Sequence, residues 1–174
     1  MNQPVITTTR LTLRDFTIDD AADVQALAGN YNVSKTTLRI PYPYEDGMAE
    51  EWIRSLSLLR DQESELAYAV TLSEPSQLIG AIGLHALEGS SAELGYWIGE
   101  PYWGNGYCSE AAQALVEFAF DRLRLDCIRA EHLVTNPASG QVMQNIGMRY
   151  VGETVKRDRY DRNARMALYE TRKT

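Results

Sequence analysis

A pair of glycines, Gly104 and Gly106, stands immediately before a predicted helix in the stretch YWIGEPYWGNGYCSEA, residues 96–111. Glycine lets the backbone adopt conformations that bring its N–H groups close to a ligand. The free N–H groups of the first helical turn and the helix dipole then favour an anion at this point. The pattern therefore predicts either a phosphate-binding loop or a plain strand-to-helix turn that needs glycine for its dihedral angles.

Two common phosphate-binding motifs do not fit this loop. A nucleoside triphosphate loop ends in Gly-Lys-Ser/Thr, because the lysine reaches the phosphates and the hydroxyl binds magnesium, whereas GNGYCS contains no lysine. A dinucleotide fingerprint needs a third glycine where Ser109 stands, and an acidic residue at the end of the following strand. Asp126 has about the right spacing, but it precedes that strand. A pyrophosphate that is not part of a dinucleotide remains as the candidate ligand.

The composition limits the classes of partner and compartment. The 174 residues carry a formal net charge of −7, which argues against nucleic acid and suits a cationic substrate such as an amine. Cys108 and Cys127 show neither metal-ligand spacing nor a disulfide framework. The N-terminus lacks a signal-peptide pattern, and no apolar run approaches the roughly 20 residues that span a bilayer. We expect a cytoplasmic protein with no metal, no membrane and no nucleic-acid partner.

Hydrophobic periodicity divides the chain into strands and helices. Strands are predicted in TRLTLRDF, ELAYAVTL, QLIGAIGLHAL, AELGYWIG, CIRAEHLV, MRYVGETVK and ARMALYETR. Helices are predicted in TIDDAADVQALAGN, MAEEWIRSLSLLRDQ, residues 107–123 and NPASGQVMQNIG, and residues 31–47 are predicted as a loop. The order is β, α, α, β, β, β, α, β, α, β, β. This order favours a mixed sheet with helices packed on it, in one domain over residues 1–174.

Several charged or titratable residues have simple structural interpretations. His85 and His132 are isolated on predicted strands, so we interpret both as structural. Glu110 lies in the first turn of the glycine-loop helix, where it complements the helix dipole. The turn KRDRYDRNAR interleaves acidic with basic residues, which argues against a nucleic-acid patch. We interpret it as a hairpin loop near a substrate mouth or as a solvated turn.

The chain resembles the GNAT superfamily of N-acetyltransferases, in particular its RimJ/RimL-like branch, which includes ribosomal-protein N-terminal acetyltransferases. The resemblance rests on the element order and on LGYWIGEPYWGNGYCSEAAQALVEFAF, NPASGQVMQNIGMRYVGE, TTRLTLRDFTIDDA and PYPYEDGMAEEWI, and it covers nearly the whole chain. Trp103 stands where the superfamily has Gln or Arg, as is usual in this branch, and Cys108 stands where it has Gly or Ala. We do not interpret Cys108 as a nucleophile. The resemblance implies an α/β (α+β mixed), GNAT-like acyl-CoA N-acyltransferase fold, with a mostly antiparallel twisted sheet flanked by helices and splayed central strands.

The same resemblance implies how acetyl-CoA would bind. The loop binds the coenzyme pyrophosphate through backbone amides, and the preceding strand aligns the pantetheine arm by strand-like hydrogen bonds where it splays from its neighbour. Asn136 resembles a residue that contacts the pantetheine, although Asn followed by Pro is also a good helix N-cap and first-residue pair. The predicted cofactor-binding residues are Tyr96, Trp97, Ile98, Trp103, Gly104, Asn105, Gly106, Tyr107, Cys108, Asn136 and Ser139.

Two predicted catalytic residues follow from the resemblance and from the chemistry of amine acetylation. An amine attacks a thioester only when it is unprotonated, and the departing thiolate gains from a hydrogen-bond donor. Glu93 matches the position of a glutamate base, acting directly or through water; alternatively it is a surface carboxylate. Many superfamily members carry a tyrosine where this chain has Gln144 or Met143, so no phenol is available in that helix. Ser139 is the candidate substitute, unless it only satisfies a backbone N–H of the first helical turn.

The resemblance therefore implies an acetyl-CoA-dependent N-acetyltransferase. It would transfer the acetyl group directly to a primary amine in a ternary complex, without a covalent intermediate and without a metal. The acceptor would be a small-molecule amine or a protein N-terminus, and the enzyme a monomer or homodimer. The alternative is a coenzyme A-binding module that senses acyl-CoA without turning over an amine.

Overall fold

The computed structural model describes residues 3–173. The strands are β1 (Ile6–Thr7), β2 (Leu11–Arg14), β3 (Glu65–Leu72), β4 (Leu78–Glu88), β5 (Ser91–Ile98), β6 (Cys127–Leu133), β7 (Arg149–Arg157) and β8 (Asn163–Arg172). The helices are α1 (Ala21–Ala28), α2 (Tyr31–Ser34), α3 (Met48–Asp61), α4 (Tyr107–Asp121) and α5 (Pro137–Asn145). Each predicted helix and strand thus appears within a few residues of its expected position.

The strands form one eight-stranded sheet in the order β1-β2-β3-β4-β5-β6-β8-β7. Neighbouring strands are antiparallel except β5 and β6, which are parallel. The β5–β6 pairing covers only residues 91–94 against 127–130 and stops at Leu94 and Ala130. Beyond that point the two strands separate, which gives the splayed centre expected of the fold and opens a slot in the middle of the sheet.

Helices cover both faces of the sheet because side chains alternate along each strand. The larger core includes Leu94 of β5 together with Leu115 of α4 and Met143 of α5. A smaller core on the opposite face includes Ile53 of α3, with Trp97 of β5 packed against it. The splay in the sheet therefore lies between two helical layers. No helix within residues 3–173 is long and apolar enough to cross a membrane.

Two local expectations were wrong. The predicted loop at residues 31–47 begins with one helical turn, α2, because the Asn30 side chain accepts a hydrogen bond from the Asn32 N–H at 2.7 Å and caps that turn. A two-residue strand, β1, also precedes the first predicted strand and pairs with β2. Neither segment carries a periodic apolar pattern, so hydrophobic periodicity could not find them.

Gly140 in α5 lies against the ring of His132, and we expect Gly140→Ala to destabilise the fold. A Cβ at this position would lie 2.6 Å from His132 Nε2, and the imidazole is buried. Alanine gains about 1 kcal/mol of helix propensity, but overpacking of this kind costs about 1–3 kcal/mol. We expect a net loss of about 1 kcal/mol in the free energy of unfolding, measured by urea denaturation. The same change in a His132→Ala background should cost less; equal costs in both backgrounds would contradict this account.

Candidate active site

A cavity of about 1260 Å³ connects the glycine loop, the splayed strands and the face of α3. Most of the predicted cofactor-binding residues line it: Tyr96, Trp97, Ile98, Trp103, Gly104, Gly106, Tyr107, Cys108, Asn136 and Ser139. Asn105 and Glu93 do not line it. The opposite end is bounded by α3 and by residues 36–41. One continuous space thus reaches from the predicted pyrophosphate loop, through the sheet, to a second chamber.

The glycine loop has the backbone conformation that its sequence suggested. Gly104 and Gly106 have φ angles of +76° and +77°, in the left-handed region that side chains strain. Gly106 is the residue before the first turn of α4, with no side-chain cap. Within the described chain, the N–H groups of residues 104–108 donate no hydrogen bond. They are therefore available to an anion at the positive end of the helix dipole.

Side-chain hydrogen bonds that the sequence did not predict hold the glycine loop in place. Asn105 Nδ2 donates to the carbonyl oxygens of Tyr102 and Trp103 at 3.1 and 3.0 Å, which explains why Asn105 points away from the cavity. Trp103 Nε1 donates to the Ile98 carbonyl oxygen at 2.6 Å. Arg10 donates to the Asn105 carbonyl oxygen at 3.0 Å. These contacts fix the shape of the loop without using its backbone N–H groups.

Glu110 has a larger role than complementing the helix dipole. Its carboxylate accepts hydrogen bonds from the Thr8 hydroxyl at 2.6 Å and from Arg10 N and Nε at 2.9 and 2.7 Å. Burial opposes ionisation, but the hydrogen bonds from Thr8 and Arg10 outweigh it and lower the pKa of Glu110. The Arg10 guanidinium also lies over the Tyr107 ring, 4.6 Å from its centre. This places the Arg10 guanidinium, ion-paired with Glu110, beside the glycine loop, a contact that no local sequence pattern predicts.

We expect Gly106→Val to weaken acetyl-CoA binding at least tenfold, about 1.4 kcal/mol, in a folded protein. The space around a Cβ at Gly106 is open, with Arg10 Nη2 3.6 Å away, so the effect comes from the left-handed backbone that valine does not tolerate. The measurement is isothermal titration calorimetry.

Gly89→Val is the matched control for this change. Gly89 also has a left-handed φ, +59°, with open space around a Cβ, but it lies in the turn between β4 and β5. The control should lose comparable stability and keep its affinity for acetyl-CoA. Equal affinity of folded Gly106→Val and wild-type protein would refute the assignment of the loop.

At the splay, the Tyr96 phenol and the Ser139 hydroxyl contact each other. Tyr96 Oη donates to the Ser139 carbonyl oxygen at 2.9 Å, and Ser139 Oγ donates to Tyr96 Oη at 3.0 Å. The expectation that the Ser139 hydroxyl satisfies a helix N–H is therefore not met. Burial raises the pKa of Tyr96 above its ordinary value of 10. A phenol from β5 therefore lies beside α5, which has none of its own, and it stays protonated at neutral pH.

Two further cavity residues depart from simple expectations. Asn136 occupies the N-cap position of α5, but its side chain forms no cap; Nδ2 instead donates weakly to the Thr36 carbonyl oxygen at 3.4 Å. Burial raises the pKa of the Cys108 thiol to about 12. At neutral pH Cys108 is therefore an uncharged thiol and a poor nucleophile, as the sequence interpretation expected.

On the other face of the sheet, His85 contacts Glu93, with Nε2 3.2 Å from Oε2. The interpretation of His85 as an isolated residue is therefore wrong. Burial lowers the pKa of His85 below its ordinary value of 6.5; Arg39 acts in the same direction, and Glu93 opposes both. His85 lines the cavity, so a neutral imidazole lies at the predicted reaction centre.

A β-bulge sets this pairing. Glu88 pairs with Ser91 across the β4–β5 turn, which in a regular hairpin would place Leu94 opposite His85. An irregularity between His85 and Glu88, where Ala86 has a left-handed φ of +48°, shifts the register by one residue. His85 consequently pairs with Glu93, and both side chains lie on the same face of the sheet.

The turn between β7 and β8 contacts the loop that bounds the second chamber. Arg159 donates to the carbonyl oxygens of Ser34 and Thr37 at 3.2 and 3.1 Å, and Tyr160 Oη donates to that of Tyr42 at 2.9 Å.

Residues 3–173 contain no group of three His, Cys, Asp or Glu side chains that could hold a metal ion.

Comparison with known proteins assigns the family. Residues 10–149, most of the chain, match the profile of the Acetyltransferase (GNAT) domain. The chain belongs to the GNAT acetyltransferase family. The uncharacterized N-acetyltransferase YoaA of Bacillus subtilis is 30% identical to this acetyltransferase over 155 residues, which cover 86% of this chain and 85% of YoaA.

Solved structures of the family share the fold. A GNAT-family acetyltransferase from Bacillus anthracis is 26% identical, with a TM-score of 0.84 and coverage of 97% of this chain and 98% of its own. The RimL ribosomal L7/L12 alpha-N-protein acetyltransferase, in complex with coenzyme A, is 19% identical, with a TM-score of 0.87 and coverage of 97% and 98%. The predicted fold, the RimJ/RimL-like resemblance and the enzyme class, an acetyl-CoA-dependent N-acetyltransferase, are confirmed.

Proposed function

We propose that this acetyltransferase binds acetyl-CoA with its pyrophosphate on the N–H groups of residues 104–108 and its pantetheine along β5, and transfers the acetyl group directly to a primary amine. The observation that carries the proposal is the single cavity through the splayed sheet, because it joins the glycine loop to a second chamber. A thioester entering from one side and an amine entering from the other would meet between β5 and β6.

The coenzyme end of the cavity suits a pyrophosphate electrostatically. Free backbone N–H groups and the N-terminus of the fifteen-residue helix α4 favour negative charge. The Arg10 guanidinium lies at the edge of the loop in an ion pair with Glu110, so it can donate hydrogen bonds to a phosphate although the pair carries no net charge. The structurally similar RimL protein holds coenzyme A, which supports the same class of ligand here.

Strand β5 offers what a pantetheine arm needs. Past Leu94 its edge no longer pairs with β6, so the backbone groups on that side of residues 95–98 are open to a ligand, except the Ile98 carbonyl oxygen, which accepts from Trp103 Nε1. The amides of pantetheine can add to such an edge as another strand would. Trp97 and Ile98, both lining the cavity, flank this edge.

The reaction centre supplies both proton functions that amine acetylation needs. On one face, the His85–Glu93 pair can take a proton from the attacking amine. On the other, the Tyr96 and Ser139 hydroxyls donate to the Ser139 carbonyl oxygen and to Tyr96 Oη, and rotation of either hydroxyl would turn its hydrogen to the departing thiolate. The protonated thiol of Cys108 argues against an acetyl-cysteine intermediate. These features favour direct transfer in a ternary complex.

The second chamber suits an amine that carries apolar groups. Its walls include Tyr44, Trp52 and Leu59, with carboxylates at Glu51 and Glu65. Acidic side chains among apolar walls attract a cationic amine and hold its hydrocarbon body. We propose a small-molecule amine or a protein N-terminus as acceptor.

Because the proposed site draws on segments from Arg10 to the β7–β8 turn, we also propose that residues 1–174 act as one domain.

The test is thiol release from acetyl-CoA against a panel of amines, amino acids, polyamines and N-terminal peptides. We expect acceptor-dependent release for at least one class of primary amine, and no stimulation by matched tertiary amines. Acetyl-CoA binding without release to any acceptor would overturn the proposed transfer and favour a sensor. Gly106→Val serves as the low-affinity control for the coenzyme.

A further inference from the structure

We propose that His85 takes the proton from the acceptor amine, and that Glu93 is a positioning residue that holds the imidazole. This inference rests on the proposed function, since it concerns the same transfer. The sequence predicted Glu93 as the base. The register of β4 and β5 places His85 beside it, and we assign the base to His85 instead.

The position of the two side chains relative to the cavity separates their roles. His85 lines the cavity, whereas Glu93 does not. Glu93 lies one residue before Leu94, the last residue of β5 that pairs with β6. Its carboxylate contacts the imidazole at Nε2. An amine in the cavity would therefore meet the ring first.

The contact with Glu93 fixes which ring nitrogen can act. A carboxylate oxygen accepts hydrogen bonds, so a hydrogen bond across this 3.2 Å contact places the proton of the neutral ring on His85 Nε2. In the neutral ring Nδ1 then carries the lone pair. Within the described part of the chain, the ring contacts Glu93 through Nε2, and His85 Nδ1 has no hydrogen-bond partner. It is left as a free proton acceptor.

The Nδ1 edge of the ring faces Gly95, which has no side chain to cover it. A Cβ at Gly95 would lie 3.4 Å from His85 Nδ1 and 3.0 Å from Cε1, so a larger residue would press on the ring. Gly95 lines the cavity and is the first residue of β5 beyond the paired segment. The space next to Nδ1 is therefore the beginning of the slot where the thioester would lie.

Burial, more than the charges around it, keeps the imidazole neutral near pH 7. Burial is the main cause of the lowered pKa, and Arg39 in the loop after α2 adds to it. Glu93 on β5 and Glu131 on β6 oppose it, but Glu131 is held by Lys156 at 2.7 Å. Glu65 pairs with His85 from β3 and adds a fourth charged neighbour. A neutral imidazole can accept a proton, which an imidazolium cannot.

Acetyl transfer moves one proton off the amine and one onto the coenzyme thiolate. The amine nitrogen forms a bond to the thioester carbon, and the carbon–sulfur bond breaks with its electron pair leaving on sulfur. His85 Nδ1 takes the proton that the nitrogen loses, and Glu93 stabilises the imidazolium through Nε2–H. The thiolate takes a proton from the solvent by way of the hydroxyls on the opposite face. His85 returns its proton to solvent before the next turnover.

The first test is an NMR titration of the His85 ring, assigned with His85→Gln. We expect a pKa below 6.5 in the wild-type protein and a still lower one in Glu93→Gln, because the raising effect of the carboxylate is lost. A wild-type pKa above about 7.5 would overturn the proposal, since His85 would be charged at neutral pH. So would an unchanged pKa in Glu93→Gln. Neither result depends on knowing the acceptor.

The second test is kinetic, with the amine that gives the fastest thiol release in the acceptor panel. We expect His85→Gln to lose on the order of 100-fold in kcat and the acid limb of its pH–rate profile. Glu93→Gln should keep that limb, moved to lower pH. Imidazole in solution should partly restore His85→Ala, which a purely structural role would not allow. If wild-type protein transfers acetyl groups and His85→Gln stays within threefold of it, the inference fails while the proposed function stands.

Discussion

We expect Glu93→Gln to lower kcat about 100-fold while the affinity for acetyl-CoA stays within twofold of the wild-type value. Removing a general base, or the carboxylate that supports one, costs about 10²–10⁴ in rate. Glutamine keeps the size of the side chain and can still accept from His85 Nε2, but it cannot offset the charge of an imidazolium. The Glu93 carboxylate lies on the face of the sheet opposite the glycine-loop helix, so the coenzyme site is undisturbed.

The control for this variant is Glu88→Gln, which removes an exposed carboxylate from the end of the neighbouring strand β4. It should retain wild-type kcat and wild-type affinity. Steady-state kinetics of thiol release measure kcat, and calorimetry measures the affinity. Wild-type turnover in Glu93→Gln would reduce Glu93 to a surface carboxylate and remove the His85–Glu93 pair from the mechanism.

Tyr96→Phe and Ser139→Ala should each lower kcat about 10- to 100-fold with little change in acetyl-CoA affinity. Each change removes a hydroxyl that can hydrogen-bond the thiolate, an interaction made mainly in the transition state. Because the two hydroxyls share a 3.0 Å hydrogen bond, the double variant should be much less active than wild type but not reach the product of the single losses.

Stability measurements on the same variants separate catalysis from structure. Losing the Tyr96–Ser139 hydrogen bond should cost about 1 kcal/mol in the free energy of unfolding. If the pair were only structural, both variants would lose that stability and keep wild-type turnover. Strictly additive losses of rate would instead show that the two hydroxyls act independently.

Local signals predicted most of the fold. The glycine loop, the helix after it and the strand pattern each depend on residues close together in the chain. The loop's left-handed glycines follow directly from residue type, because glycine adopts such angles without strain. Strand β8 inserts between β6 and β7. Hydrophobic periodicity cannot predict this, because it shows which side of a strand is buried and not which strands pair.

The reaction centre depends on contacts that local patterns do not contain. Tyr96 and Ser139 are 43 residues apart and meet only when α5 packs on the sheet. His85 and Glu93 lie on one hairpin, but a regular register from its turn places Leu94, not Glu93, opposite His85. The bulge at Ala86 decides the outcome, and alanine gives no sequence signal for a left-handed residue. Arg10 and Glu110 join segments 100 residues apart.

The most direct test of this account is a crystal structure of the protein with acetyl-CoA bound. We expect pyrophosphate oxygens within about 2.7–3.2 Å of N–H groups in residues 104–108. The pantetheine amides should pair with β5 beyond Leu94, and the thioester should lie between His85 and the Tyr96–Ser139 pair. Acetyl-CoA bound away from the glycine loop, or a pantetheine arm that does not enter the space between β5 and β6, would contradict the proposed function.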